Sequence, residues 1–146
     1  MDLLQQLAAF LPPQRMKTRL VDRVSYASDA GFYQLIPRVV VLPVSEEEVG
    51  RLFSIAARTH TPVVFRAGGT SLSGQAITDG ILVDLSRYWQ GCTISDDGNS
   101  VRVQPGITGG MVNAKLYPLQ KKIGPDPSSI GSAMMGGIFY RLLFVH

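Results

Sequence analysis

The sequence predicts an α+β fold organised around a small β-α-β sheet. Three stretches carry that prediction. Val39-Val40-Val41-Leu42 is a continuous apolar, β-branched run of the kind that forms a buried strand. Ser45 to Thr59 reads as a capped amphipathic helix. Pro62-Val63-Val64-Phe65 is a second apolar run, and it opens directly into a glycine-rich loop. Strand, helix and strand in that order favour a parallel pair joined by a right-handed crossover.

The elements follow in chain order. Asp2 to Leu11 predicts a short amphipathic helix, with Leu3, Leu4, Leu7, Ala8 and Leu11 at helical spacing. Pro12-Pro13 stops it. Gln14 to Val24 is polar and basic and reads as a linker or weak helix. In Ser25 to Pro37 the aromatic residues Tyr26, Phe32 and Tyr33 read as packing groups.

The helix from Ser45 carries its own start signals. Ser45 and Glu48 form a capping-box pattern. Glu46, Glu47 and Glu48 sit at the positive end of the helix dipole. Val49, Leu52, Phe53 and Ala56 mark its buried face, and His60 follows as a surface residue near its end.

Asp79-Gly80 is a turn signal before the strand Ile81 to Asp84. Trp89 to Ser95 and Ser100 to Gln104, joined through Asp96-Asp97-Gly98-Asn99, predict an antiparallel hairpin. Thr108 caps a helix to about Leu116, with Met111, Val112 and Leu116 on one side; Gly109 and Gly110 weaken its first turn, and Pro118 ends or kinks it. Gly124 to Ser129 is proline-rich and irregular, and Ser129 to Gly137 predicts a short helix.

Composition narrows the class. The 146 residues are 45% hydrophobic and 17% charged, an ordinary globular balance for one domain. The net charge of +3 is mild and scattered, and no basic-aromatic motif points to nucleic acid. One cysteine, Cys92, supplies neither a disulfide nor a metal-ligand cluster, and it reads as a half-buried strand residue. No stretch approaches the roughly 20 apolar residues of a membrane span, and Met1 to Leu11 lacks a signal pattern. These features set the expectation of a cytoplasmic location.

The chemistry concentrates in Arg66 to Gly74, RAGGTSLSG. Gly68, Gly69 and Gly74 let the backbone turn sharply and approach a ligand. Successive N–H groups in such a turn form a nest for phosphate oxygens. Thr70, Ser71 and Ser73 add hydroxyls, and Arg66 adds a positive charge. Neither G-x-x-x-x-G-K-[ST] nor G-x-G-x-x-G is present, so this is not a P-loop or a Rossmann fingerprint.

Four motifs then arrive in order: RAGGTSLSG, ILVDLSR at Ile81 to Arg87, VRVQPGIT at Val101 to Thr108, and GPDPSSIGSAMMGGI at Gly124 to Ile138. This series resembles the PCMH-type FAD-binding domain of the vanillyl-alcohol oxidase / p-cresol methylhydroxylase superfamily. Within it, the likeness is to bacterial FAD-linked D-lactate and other 2-hydroxy acid dehydrogenases. The resemblance implies FAD as cofactor and an N-terminal subdomain plus the start of a second. It divides the chain into residues 1–24 (helix and linker), 25–138 (a partial FAD-binding domain) and 139–146 (an apolar tail outside the pattern).

Carried over by position, the resemblance makes Arg66, Ala67, Gly68, Gly69, Thr70, Ser71, Leu72, Ser73, Gly74 and Gln75 the pyrophosphate cradle. Pro125, Asp126, Pro127, Ser128 and Ser129 become a second cofactor segment. Gly136-Gly137 matches the glycine pair against the flavin, and Pro105 and Gly106 lie near the nucleotide portion in relatives. The implied reaction oxidises a 2-hydroxy acid, D-lactate first, to a 2-oxo acid by hydride transfer to FAD. Electrons then pass to an external acceptor, through which a membrane association is possible.

After Ile138 the chain departs from the family pattern and reads Phe139-Tyr-Arg-Leu-Leu-Phe-Val-His146. A truncated copy is the expectation, with Phe139 to Val145 as a terminal strand the alternative. The substrate domain, with its catalytic base, lies outside this stretch in relatives. No catalytic residue is therefore assigned, His60 and His146 included, and the chain alone is expected to be inactive. The competing expectation is a non-catalytic FAD-binding subunit that works with a separate chain.

Overall fold

The computed structural model describes residues 2–142, with the side chains of residues 140–142 left undescribed. The chain forms two compact units. The first holds the described residues up to Arg66 together with Ser71–Leu85; the second holds Ala67–Thr70 and the described residues from Ser86.

The first unit is a four-stranded sheet with helices. Its strands are β1 (Met16–Lys17), β2 (Val39–Val41), β3 (Val63–Arg66) and β4 (Ile81–Asp84). Their spatial order is β1-β2-β4-β3, with β1 antiparallel to β2 and the others parallel. The sequence led us to expect β2 and β3 as neighbours. Instead β4 lies between them, Val40 and Val64 both in register with Leu82. The reason is burial: every residue of β4 is buried, and an apolar strand without alternation needs cover on both faces and both edges. The two-residue β1 was missed because so short a strand has no periodicity.

Helix α1 (Leu3–Ala8) is shorter than expected and begins at a capping box formed by Asp2 and Gln5. It packs against α3 (Glu46–Thr59) and buries Leu3 and Leu7. The second half of the expected linker is the helix α2 (Leu20–Val24). Ser45 Oγ accepts from Glu48 N (3.2 Å), as the sequence predicts. The reciprocal half of the box is absent, because Glu48 turns to Val44 N and Arg15. The buried stripe of α3 is Leu52, Ile55 and Ala56. Phe53 falls outside it, half exposed, with its ring 5.6 Å from that of Phe65. Phe32 and Tyr33 were expected to pack; Phe32 is fully exposed and Tyr33 largely so, because they sit on a loop rather than on the sheet.

The second unit contains the antiparallel hairpin β5 (Cys92–Ile94) and β6 (Val101–Val103), with Cys92 half-buried in it. Helices α4 (Gly109–Leu116) and α5 (Met135–Leu142) complete it. Thr108 caps α4 as expected, accepting from Met111 N (3.2 Å). Its core joins Ile107, Val112, Leu116, Ala133, Met135 and Ile138. Met111, expected on the buried side, is half exposed.

Two expectations near the C-terminus need correction. The predicted helix Ser129–Gly137 begins later, at Met135. Residues before it are held in turns and by an extended bridge between Thr108 and Met134. Phe139 continues that helix to Leu142, so a strand there is excluded; residues 143–146 of the proposed tail, His146 among them, lie outside the described residues.

Candidate functional site

The loop Arg66–Gly74 leaves the carboxyl end of β3, where open α/β sheets present ligand-binding loops. Two of its residues hold left-handed backbone, Gly69 (φ +64°) and Gly74 (φ +72°). Only glycine adopts that region without strain. Among the described residues, the N–H groups of Gly68, Gly69, Leu72 and Gly74 have no hydrogen-bond partner. Gly68 and Gly69 in the second unit, and Leu72 and Gly74 in the first, thus each offer a free N–H of the kind from which an anion nest is built.

In the first unit, Ser71 organises its half of the loop. It is buried, and its Oγ accepts from Ser73 N (3.2 Å) and Gln75 N (3.4 Å) and lies 3.1 Å from Gln75 Oε1. This hydroxyl shapes the turn instead of standing free for a ligand. Arg66 is also engaged. Its Nη1 donates to Ser28 O (2.9 Å) and Tyr26 O (3.3 Å), and its guanidinium lies over the Tyr26 ring. Leu72 and Ser73 are exposed at the loop tip.

In the second unit, Gly68 lies against the segment that precedes α5. A Cβ on Gly68 would come 2.9 Å from Ser132 O. Ser132 N in turn donates to Ser129 O (2.9 Å), which also accepts from Ala133 N (2.7 Å). The glycine-rich and proline-rich motifs, some 60 residues apart, thus meet through Ser132. Pro127 O accepts from Ile130 N, while Asp126 is exposed and ion-paired with Lys122 (3.2 Å); Ser128 is exposed and Pro125 half-buried.

The paired glycines differ. A Cβ on Gly136 would lie 2.8 Å from Pro105 Cβ, and Gly136 N donates to Pro105 O (3.0 Å). Gly136 is small because Pro105 packs on it. A Cβ on Gly137 would meet nothing within 4 Å. Gly106 N donates to Trp89 O (2.7 Å), which ties VQPGIT to the hairpin's start. Among the described residues no cluster of His, Cys, Asp or Glu can hold a metal ion, and no helix is long and apolar enough to cross a membrane.

The sequence reasoning passed over Ala30 and Gly31, and read Tyr33 as a packing group without giving it a place beside the loop. Ala30 N donates to Ser71 O (3.0 Å), and a Cβ on Gly74 would lie 3.2 Å from the Tyr33 ring. The one local signal was Asp29-Ala30-Gly31, an Asx-turn pattern.

Comparison with known proteins fits this geometry. The FAD binding domain family matches residues 37–141. D-2-hydroxyglutarate dehydrogenase of Escherichia coli (strain K12) is 34% identical over 125 residues, covering 83% of this chain and 12% of the relative. Glycolate oxidase subunit GlcD of the same strain is 35% identical over 107 residues, covering 72% of this chain and 21% of the relative. The chain therefore spans about an eighth to a fifth of the lengths of these curated relatives. The crystal structure of p-cresol methylhydroxylase with substrate bound superposes with a TM-score of 0.76 at 16% identity, over 92% of this chain and 28% of that one. That likeness shows the fold. Within the second unit, the unpartnered Gly68 and Gly69 amides and the left-handed backbone of Gly69 suit a phosphate group.

Proposed function

The chain belongs to the FAD binding domain family, with FAD as its cofactor, and from that premise we propose that it carries the FAD-binding portion of a 2-hydroxy acid oxidoreductase. The observation that carries the proposal is the loop Arg66–Gly74, with its left-handed glycines and unpartnered N–H groups. Arg66 to Gln75 would hold the pyrophosphate. Pro125 to Ser129 would line the cofactor, and Gly136-Gly137 would leave room for the flavin. When bound, the flavin supplies a hydride acceptor for the α-carbon of the substrate. The residues of this chain bind and orient it, and none is assigned to proton transfer.

D-lactate is the substrate suggested by the sequence pattern. The names of the relatives support D-2-hydroxyglutarate and glycolate as further candidates. Co-expression with a chain supplying the rest of the FAD domain and a substrate domain, followed by dye-linked assays on the three acids, tests the assignment. Turnover of one acid supports it; flavin loading without turnover of any hydroxy acid refutes the reaction class.

The alternative reading is a non-catalytic FAD-binding subunit that needs a separate partner chain. Titrating this chain alone with FAD, followed by flavin fluorescence, separates the two. Tight binding without a partner supports the subunit reading.

A further inference from the structure

We propose that Asp29 is a positioning residue for the phosphate loop, holding its Ser71–Gln75 half in an anion-accepting shape. The inference rests on the reading of Arg66–Gly74 as the pyrophosphate cradle. Its evidence lies within the first unit. Asp29 Oδ1 accepts from Gly31 N (2.8 Å) and closes an Asx turn. That turn aims the Ala30 N–H at Ser71 O (3.0 Å). It also brings Gly31 so close to the loop that a Cβ there would lie 2.6 Å from Leu72 O.

The same segment touches the loop at both ends. Ser28 O and Tyr26 O receive Arg66 at its start, and the Tyr33 ring lies beside Gly74 at its finish. Between them, Ser71 is fixed through its carbonyl by Ala30 and fixes Ser73 and Gln75 through its hydroxyl. The turn closed by Asp29 therefore sets the loop atom that sets the next two amides. A loop ordered before binding loses less conformational freedom when the anion arrives.

Asp29 Oδ2 supports a role beyond ordinary packing. It is buried and has no hydrogen-bond partner among the described residues. Leaving a carboxylate oxygen unsatisfied is unfavourable, and such atoms concentrate where local geometry serves a function. A carboxylate repels phosphate, so Asp29 acts through the backbone it shapes and not as a ligand.

The test uses the 146-residue chain without and with FAD. Amide hydrogen exchange of Ser73 and Gln75 is measured first in the FAD-free protein, for Asp29→Ala and for Asp29→Asn, which keeps the Oδ1 acceptor. Asp29→Ala is expected to speed both amides by about tenfold while Val40 and Leu82 keep their protection. FAD affinity should fall by about tenfold in Asp29→Ala and recover in Asp29→Asn.

Unchanged exchange at Ser73 and Gln75 overturns the proposal. So does faster exchange with unchanged FAD affinity. Should Asp29→Ala also release Val40 and Leu82, Gly31→Ala replaces it. That variant keeps the carboxylate and drives its Cβ chiefly against Leu72 O (2.6 Å), with Asp29 Oδ1 at 3.0 Å, and the same two readouts decide. Gly69→Val serves as the control on the cradle itself. If it binds FAD like the parent, or the parent takes up no FAD, the cradle reading fails and the exchange data alone judge Asp29.

Discussion

Arg15 grips Glu48 with both guanidinium nitrogens, Nη1 to Oε2 at 2.5 Å and Nη2 to Oε1 at 2.8 Å. Glu48 Oε2 also accepts from Val44 N (2.8 Å), and Arg15 Nη1 reaches Leu42 O (3.4 Å). The pair fastens the turn before β1 to the start of α3, and both side chains are more than four-fifths buried. Glu48→Gln should destabilise the first unit by about 1–3 kcal/mol in urea unfolding at neutral pH. A double-mutant cycle with Arg15→Ala should return a coupling of about 0.5–3 kcal/mol.

The same pair sets an acid-side dependence. The hydrogen bond from Arg15, chiefly, holds the Glu48 carboxyl below its ordinary 4.5; burial opposes it, and the Val44 N–H and the charges of Arg15 and Arg51 add to the lowering. A depressed folded pKa contributes stability above the unfolded value, which is lost as pH falls through the folded one. Urea midpoints of the parent should fall below pH 4.5 more steeply than those of Glu48→Gln. Parallel curves would remove Glu48 as the source.

Tyr26 Oη donates to Asp84 Oδ2 (2.7 Å) at the buried end of β4. Tyr26→Phe takes away one donor from that carboxyl group and keeps the ring that Arg66 lies over. The expected loss is about 1–2 kcal/mol, read as a lower urea midpoint at unchanged slope.

Gly69 has φ +64° and an N–H without a partner among the described residues. Gly69→Val places a β-branched side chain in left-handed backbone and crowds the approach of a pyrophosphate. FAD titration should show no binding. Unaltered affinity would sink the assignment of this loop.

Gly136 and Gly137 are adjacent in α5 and should behave oppositely. Gly136→Ala drives a Cβ against Pro105 and should cost about 1–3 kcal/mol through overpacking. Gly137→Ala enters open space in the first turn of the helix, and it should raise the stability of the FAD-free chain by up to about 0.5–1 kcal/mol. If Gly137 faces the flavin, the second variant is more stable yet binds FAD less well. Equal FAD affinity would move the flavin elsewhere.

Sequence reasoning reached what local pattern encodes. The caps at Ser45 and Thr108 are single-residue signals acting over three positions, and both appear in the structure. The hairpin at 92–103 follows from a turn between alternating runs. The loop Arg66–Gly74 stood out because glycines and hydroxyls follow a strand, and the resemblance to the family series set the expectation of a ligand there. Phe53 and Phe32 misled because apolar character alone says nothing of which face a helix turns inward or how far a loop reaches from the sheet.

By itself, then, the sequence determined most of the α+β elements, the caps at Ser45 and Thr108 and the glycine-rich loop after β3, since each depends on neighbours a few residues away. The tertiary structure decided the rest. It placed β4 between β2 and β3, where every one of its residues is buried. It set Ala30, Gly31 and Tyr33 against a loop some 40 residues downstream, and Gly68 against Ser132 in the second unit. Such pairings come from closing long stretches of chain around a core, and the energy that selects them belongs to the packed whole and not to any short segment.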